Sequence, residues 1–391
     1  MKILVLTGFW PTKANPISGV FVAQQCAAFE RAGCDVRIVS IGNTFHKPAT
    51  LITENISGFV FESAKLCQIR VNNLPEHLFR LPGALKVNSY LTGQAIYRHI
   101  DKLFLTWKPD AVLVHGLRYI ATSIAHWRNL IKGRSVIVLH GVDPQFAPHR
   151  VTTAHRKHLM KVLPFIDTVV AVGNPLRSYS KDIGLGDPLV IPNGTDLPPL
   201  KEIHFSQRPF DETRVVLSVS NLVKLKGIDL NLRALARFGA AHPDTRWEYR
   251  VIGDGPERAN LEQLARALGI QDRVRFLGRL NHSETMQQVG DCDIFSLPSW
   301  GEAFGIVYLE AMARGRPVIG CWQNGAQDII SHQVDGLLVM PQEERSLFEA
   351  LNRMLIDPLE CSKWGRSARV TAERFSWDAN SQRMLQALGL M

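Results

Sequence analysis

The sequence has few cysteines and no pattern among them. Six occur in 391 residues: Cys26, Cys34, Cys67, Cys292, Cys321 and Cys361. None forms a C-x-x-C pair and none joins a histidine cluster with zinc spacing. They read as small buried hydrophobes in a reducing, cytoplasmic setting. No apolar run approaches the roughly 18 residues that span a bilayer, which excludes a polytopic membrane protein. The opening Met1-Lys2 and Ile3 to Trp10 are too short for a leader, and read as a buried first strand. Apolar residues at 46% and charged residues at 21% exclude disordered, collagenous and coiled-coil chains, and low-complexity tracts, internal repeats and like-charge blocks are absent. H-E-x-x-H, G-x-x-x-x-G-K-[ST] and G-x-S-x-G are absent too. So is any recognisable nucleic-acid-binding module.

Acidic residues are scarce in one half only. Residues 1–200 hold 22 Lys and Arg against 12 Asp and Glu, and residues 201–391 hold 23 against 24. The formal charge of +9 therefore belongs to the first half, with nine of the 13 histidines. Such asymmetry suits an anionic partner, with simple solubility as the bland alternative.

What is present is a series of short, β-branched apolar runs. They are Ile3–Leu6, Val36–Ser40, Ala111–Val114, Val136–Leu139 and Thr168–Val172. The second half has Val215–Val219, Trp247–Ile252, Val274–Leu277, Ile294–Leu297, Pro317–Ile319 and Gly336–Val339. Runs of three to six suggest strands buried on both faces, hence parallel sheets. Helical patterns at Val20–Ala32, Asp229–Ala241 and Arg258–Leu268 alternate with them, which predicts α/β doubly wound domains. Ile191 to Pro199 and the polar stretch to Thr213 break the pattern. The expected organisation is an N-terminal domain over 1–195, a linker over 196–212, a second domain over 213–361 and a helical tail over 362–391.

Open parallel sheets bind ligands at the carboxyl ends of their strands, so the loops there hold the candidates. After the first strand, Gly8 to Gly19 leads into a helix whose N-terminus suits an anion. It lacks the G-x-G-x-x-G spacing of a dinucleotide loop. His115-Gly116 and His140-Gly141 each end a strand, as core caps or as the lining of a cleft. Ser220 to Gly227 opens a helix beside Lys226, where charge and helix dipole both favour phosphate. Lys224 reads as solvated. Gly253-Asp254-Gly255-Pro256 is a tight turn near the same edge. Glu302 and Glu310 form an E-x7-E pair, one in a loop and one on a helix expected to start near Phe304. Just over two turns separate them, so both carboxylates can share one side. Asp291-Cys292-Asp293 precedes its strand, at the edge away from the ligand, and is discounted as a metal site.

These segments together resemble the retaining glycosyltransferases of the GT-B fold, family four (glycosyl transferases group 1), over nearly the whole chain. Gly301-Glu302-Ala303-Phe304-Gly305 through Glu310-Ala311-Met312-Ala313 carries the likeness most strongly. Val219 to Gly227, Ile191-Pro192-Asn193-Gly194, Gly253 to Pro256 and Asn324-Gly325 through Val339 follow. The resemblance implies two Rossmann-like domains facing across a cleft, with no metal and no cofactor beyond a nucleotide-diphosphate sugar as co-substrate. It implies that Glu310 binds the donor ribose and that Glu302, with the backbone of Ala303, Phe304 and Gly305, holds the donor sugar. Lys226 would neutralise the diphosphate, with Gly19, Asn221 and Gly253 nearby. Leu277, Gly278 and Arg279 would lie near the base, and His140 near the transferred sugar. Where the family often has Gly-Arg ahead of its lysine, this chain has Ser220-Asn221, and its first loop has one glycine where many relatives have two. The implied reaction moves a sugar, from a UDP- more readily than a GDP-sugar, to a lipid-linked saccharide in surface polysaccharide assembly. The basic, aromatic stretch between Glu76 and Pro109 suits peripheral contact with an anionic membrane, with an ordinary amphipathic helix pair covering the sheet as the alternative. A nucleotide-sugar epimerase and a non-catalytic nucleotide-sugar-binding assembly protein are the alternatives.

Overall fold

The computed structural model describes residues 1–11, 19–43, 65–71, 107–117, 134–142, 160, 163–203, 205 and 212–391. The basic stretch from Glu76 lies outside the described residues as far as position 106. The chain divides into two compact units, Met1–Asn193 with Trp377–Met391, and Gly194–Ser376.

The first unit contains β1 (Lys2–Thr7), α1 (Val20–Arg31), β2 (Asp35–Asn43), β3 (Lys65–Val71), β4 (Ala111–His115), β5 (Ser135–Leu139), β6 (Thr168–Ala171), α2 (Leu176–Asp182) and β7 (Leu189–Val190). Its sheet runs β3-β2-β1-β4-β5-β6-β7 and every described pairing is parallel. Strands β4 and β5 are buried along their whole length, as continuous apolar runs require when both faces are covered.

The second unit contains β8 (Arg214–Val219), α3 (Ile228–Ala241), β9 (Trp247–Ile252), α4 (Arg258–Ala267), β10 (Val274–Gly278), α5 (His282–Asp291), β11 (Ile294–Ser296), α6 (Ile306–Ala313), β12 (Val318–Cys321), β13 (Gly336–Val339), α7 (Glu344–Ile356) and α8 (Pro358–Glu373). Its sheet runs β10-β9-β8-β11-β12-β13, again parallel. Both sheets reverse direction of winding beside their first strand, between β1 and β4 and between β8 and β11. That is the doubly wound order, and its crevices lie outside the carboxyl ends of those strands.

Every apolar run named from the sequence forms a strand. The pattern missed β3, whose sequence KLCQIRV mixes charge with apolar residues, and β7, which has two residues.

The tail expected over 362–391 is divided. Helix α8 stays with the second unit, where Arg369 Nη1 donates to Pro198 O and Ala313 O, both at 2.8 Å, and Thr371 Oγ1 to Asp335 Oδ2 at 2.8 Å. Helix α9 (Trp377–Ala387) belongs to the first unit. There Gln25 Nε2 donates to Asn380 Oδ1 at 2.6 Å, Trp377 Nε1 to Gln24 Oε1 at 3.1 Å, and Asn380 Nδ2 to Pro192 O at 2.6 Å. The stretch after Gly194 is likewise anchored within the second unit: Thr195 N donates to Phe375 O at 2.8 Å.

Candidate active site

In the second unit the loops that follow β10, β9, β8, β11 and β12 form one continuous belt along the carboxyl edge, each braced on its neighbour. Gly253 N donates to Gly278 O at 2.8 Å, which joins the first two loops. Gly253 has φ 127°, and a Cβ there would meet Ser220 O at 1.8 Å. Only glycine fits where those two backbones touch. Leu222 N then donates to Asp254 O at 3.0 Å, and Trp300 N to Leu225 O at 3.1 Å. Gly325 N donates to Glu302 O at 2.9 Å, and Asn324 Nδ2 to Ser299 O at 2.7 Å. The belt therefore gathers Gly278, Gly253, Lys226, Glu302 and the backbone of Ala303 to Gly305, which are remote in sequence.

At its centre Lys226 Nζ and Glu302 Oε1 form an ion pair. The two side chains are only 18% and 13% exposed, so the pair is poorly screened. Two helices begin beside it. Gly227 caps α3 with φ 67° and Gly305 caps α6 with φ 95°, and neither helix end has a side-chain cap. First-turn amides lack an acceptor inside their own helix, so these ends carry partial positive charge outward. The left-handed glycine also delays α6, which starts at Ile306 and not at Phe304 as the pattern suggests.

Glu310 lies further along α6, with 13% of its side chain exposed. Burial pushes its carboxyl above the usual range, the neighbouring His282 and Arg314 pull it down, and the charge of Asp196 raises it. His282 Nδ1 is 3.8 Å from Glu310 Oε1. His282 is absent from the sequence-based candidates. Asn281 and Glu284 form a capping box at the start of α5, which is legible as a helix start. Nothing in that spacing aims His282 at a carboxylate 28 positions away. Asn221 and Arg279 are exposed, in the loops after β8 and β10, while Leu277 and Gly278 are half-buried. Asp293 is buried and its Oδ2 accepts from Val215 N at 2.7 Å, at the amino edge where the sequence order placed it.

Beneath the belt lies a buried polar network. Asn231 on α3 donates through Nδ2 to Tyr249 Oη at 3.0 Å and to Ser218 Oγ and Ser296 O at 3.2 Å. Its Oδ1 accepts from Ser296 Oγ at 2.7 Å. The network fixes α3 on β8, β9 and β11, and with it Gly227 and Lys226.

In the first unit the loops after β1, β4 and β5 meet at the same kind of edge. Gly19 caps α1 with φ 71°, and a Cβ there would meet the backbone of Phe9 at 2.3 Å. Phe9 in turn packs near Gly116 and His140. His115 Nδ1 and His140 Nε2 lie 2.8 Å apart. Burial lowers both imidazoles, His140 to about 3 and His115 well below its ordinary value with help from its partner.

The family described as Glycosyl transferases group 1 matches residues 200–371, and Glycosyltransferase Family 4 matches residues 18–198. The chain belongs to the group 1, family 4-like glycosyltransferases. An exopolysaccharide phosphotransferase of Streptomyces coelicolor is 30% identical over 246 residues, 59% of this chain and 25% of that protein. A GDP-mannose-dependent monoacylated alpha-(1-6)-phosphatidylinositol monomannoside mannosyltransferase of Corynebacterium glutamicum is 32% identical over 186 residues, 46% of this chain and 48% of that protein. The chain thus spans less than half the length of these relatives. Among solved structures, sucrose-phosphate synthase from Thermosynechococcus elongatus matches with TM-score 0.71 at 21% identity, over 99% of this chain and 98% of that one. Anabaena HepE in complex with UDP and glucose matches with TM-score 0.66 at 20% identity, over the whole of both chains. At such identities the likeness concerns the fold, which is GT-B. Among the described residues no helix is long and apolar enough to cross a membrane.

Proposed function

We propose that this protein is a retaining hexosyltransferase that uses a nucleotide-diphosphate sugar, preferably a UDP-sugar, without a metal ion. The observation that carries the reading is the Lys226–Glu302 pair set between the uncapped starts of α3 and α6. As the anomeric C–O bond breaks, negative charge grows on the departing diphosphate. A poorly screened ammonium and two helix ends stabilise that charge as it develops. Glu310, deep on α6, accepts hydrogen bonds from ribose hydroxyls, and Leu277, Gly278 and Arg279 line the base. Glu302 and the amides of Ala303 to Gly305 hold the donor sugar, with Gly253 and Asn221 completing the rim. In the same reading Gly19 serves the donor phosphate and His140 the transferred sugar. The acceptor attacks from the face the diphosphate leaves, which gives retention without an enzyme nucleophile.

The acceptor in this proposal is a lipid-linked saccharide for surface polysaccharide, met at the inner face of the plasma membrane. The excess positive charge of the first half supports it, as do relatives named for exopolysaccharide and phosphatidylinositol mannoside substrates. The test is a panel of UDP- and GDP-sugars, with and without membrane lipid extract, assayed for free nucleoside diphosphate. Release from one donor, increased by lipid, is expected. Conversion of a donor to another sugar nucleotide without release would mean an epimerase, and failure to bind any donor would end the donor-site reading. Within an active preparation, Glu310→Ala is expected to weaken nucleotide binding, and His140→Ala to lower turnover more than donor affinity.

A further inference from the structure

The contact between His115 and His140 follows from the register of their strands. His115 closes β4 opposite Val138 of β5. His140 is two residues beyond Val138, so side-chain alternation returns it to the same face. The ladder continues one step further, with Gly116 N donating to Val138 O at 3.0 Å. The two rings are 19° from parallel with centroids 5.0 Å apart, and Phe21 of α1 packs against His140 at 4.6 Å. Among the described residues the two outer nitrogens, His115 Nε2 and His140 Nδ1, are buried without a hydrogen-bond partner. A buried polar atom left without a partner is costly. Two of them on adjoining rings at the ligand edge of a doubly wound sheet are hard to justify as packing.

We infer that His115 is a positioning residue for His140: the two imidazoles are joined through one shared proton, so the state of His115 Nε2 decides whether His140 offers an N–H or a lone pair at Nδ1. Two neutral rings hold two protons between them. In one form His115 Nδ1–H donates to His140 Nε2, His140 carries its own proton on Nδ1, and His115 Nε2 is bare. In the other, His140 Nε2–H donates to His115 Nδ1, His140 Nδ1 is bare, and His115 Nε2 carries the proton. The two forms are tautomers of one neutral pair and hold the same two protons; the central one belongs to His115 Nδ1 in the first and to His140 Nε2 in the second, across the 2.8 Å contact. A sugar hydroxyl both donates and accepts, so it pairs with either form, and His115 fixes which.

The inference rests on the reading of His140 as a donor-sugar contact, and its test separates the two. His115→Phe keeps the ring and removes the bond. His115→Asn places an amide nitrogen near the Nδ1 position, whereas the amide of His115→Gln reaches towards Nε2. We expect His115→Phe and His115→Gln to lower kcat at least tenfold, with donor KM within twofold of wild type. His115→Asn should recover kcat to within threefold. In spectra of protein labelled with 15N-histidine, wild-type His140 should show one dominant tautomer, and His115→Phe should move it towards a mixture. Wild-type kcat in both His115→Phe and His115→Gln, or His140 nitrogen signals unmoved in both, would overturn the inference. If wild type transfers no sugar, the functional reading fails, and the nitrogen spectra still decide whether His115 sets the tautomer of His140.

Discussion

Lys226 is paired with the Glu302 carboxylate, and that has a consequence at the scale of single residues. In the proposed donor site Glu302 competes with the diphosphate for the same ammonium and adds a like charge beside it. Replacing Glu302 by Gln frees the cation and removes the repulsion, while the donor sugar loses a carboxylate contact. The expected result is tighter binding of UDP, by about 1 kcal/mol or roughly fivefold, together with slower transfer. Calorimetric titration with UDP and a turnover assay check both halves, and weaker UDP binding by Glu302→Gln would refute this account of the pair. Lys226→Met should do the reverse, weakening UDP binding at least tenfold. Lys226, Glu302 and Glu310 could each be picked out in the sequence, because the E-x7-E spacing and the strand-loop-Lys-Gly order are local, whereas the pairing of Lys226 with Glu302 across 76 positions could not. Nor could His282, since its nearness to Glu310 is made by the packing of α5 beside α6.

At the scale of elements, glycine and a buried amide set where α3 begins. A Cβ on Gly227 would stand 2.5 Å from Pro298 O, a backbone atom that cannot step aside, at a φ of 67°. Gly227→Ala is therefore expected to cost about 2–4 kcal/mol, the left-handed penalty plus displacement of the loop after β11. Asn231→Leu would leave Tyr249 Oη and the Ser218 and Ser296 hydroxyls buried with fewer partners, at a cost of about 2–4 kcal/mol. Tyr249→Phe removes one member of the network and should cost about 1 kcal/mol. Urea denaturation of the three variants gives the ranking, and an Asn231→Leu protein as stable as wild type would show that the network is not under load. Apolar runs revealed eleven strands because tightly buried parallel strands are dominated by apolar sequence, even where Glu248 and Arg250 interrupt it in β9. The mixed sequence of β3 escaped that rule. The start of α6 was placed two residues early, because the left-handed conformation of Gly305 is a backbone property with no signature in hydrophobic spacing.

For the molecule as a whole, sequence periodicity could place helices in the tail but not assign them. Helices α8 and α9 follow one another, yet one hydrogen-bonds to Ala313 and the other to Gln24 and Gln25. The two units should also answer mild acid differently. In the first, His115 and His140 are held neutral by burial, with folded values below the roughly 6.5 of an unfolded chain. Below pH 6.5 the unfolded state binds more protons at these positions, so the stability they support above that pH is lost as pH falls towards the folded values. His140, lowered to about 3, contributes about 2 kcal/mol between pH 6.5 and 5, and His115 acts in the same direction. In the second unit, burial raises Glu310 and Asp335 above the ordinary carboxylate range. There the folded state binds the extra proton, so stability is lost as pH rises through those folded values and regained as it falls. Hydrogen exchange at pH 7 and pH 5, corrected for the intrinsic exchange rate, separates the units by peptide. Protection of β4 and β5 should fall at least tenfold while that of β8 and β11 is kept. The slope in β4 and β5 should flatten when both His115 and His140 are replaced by Phe. Equal loss of protection in both units would show that acid acts on the chain at large and not through this buried pair.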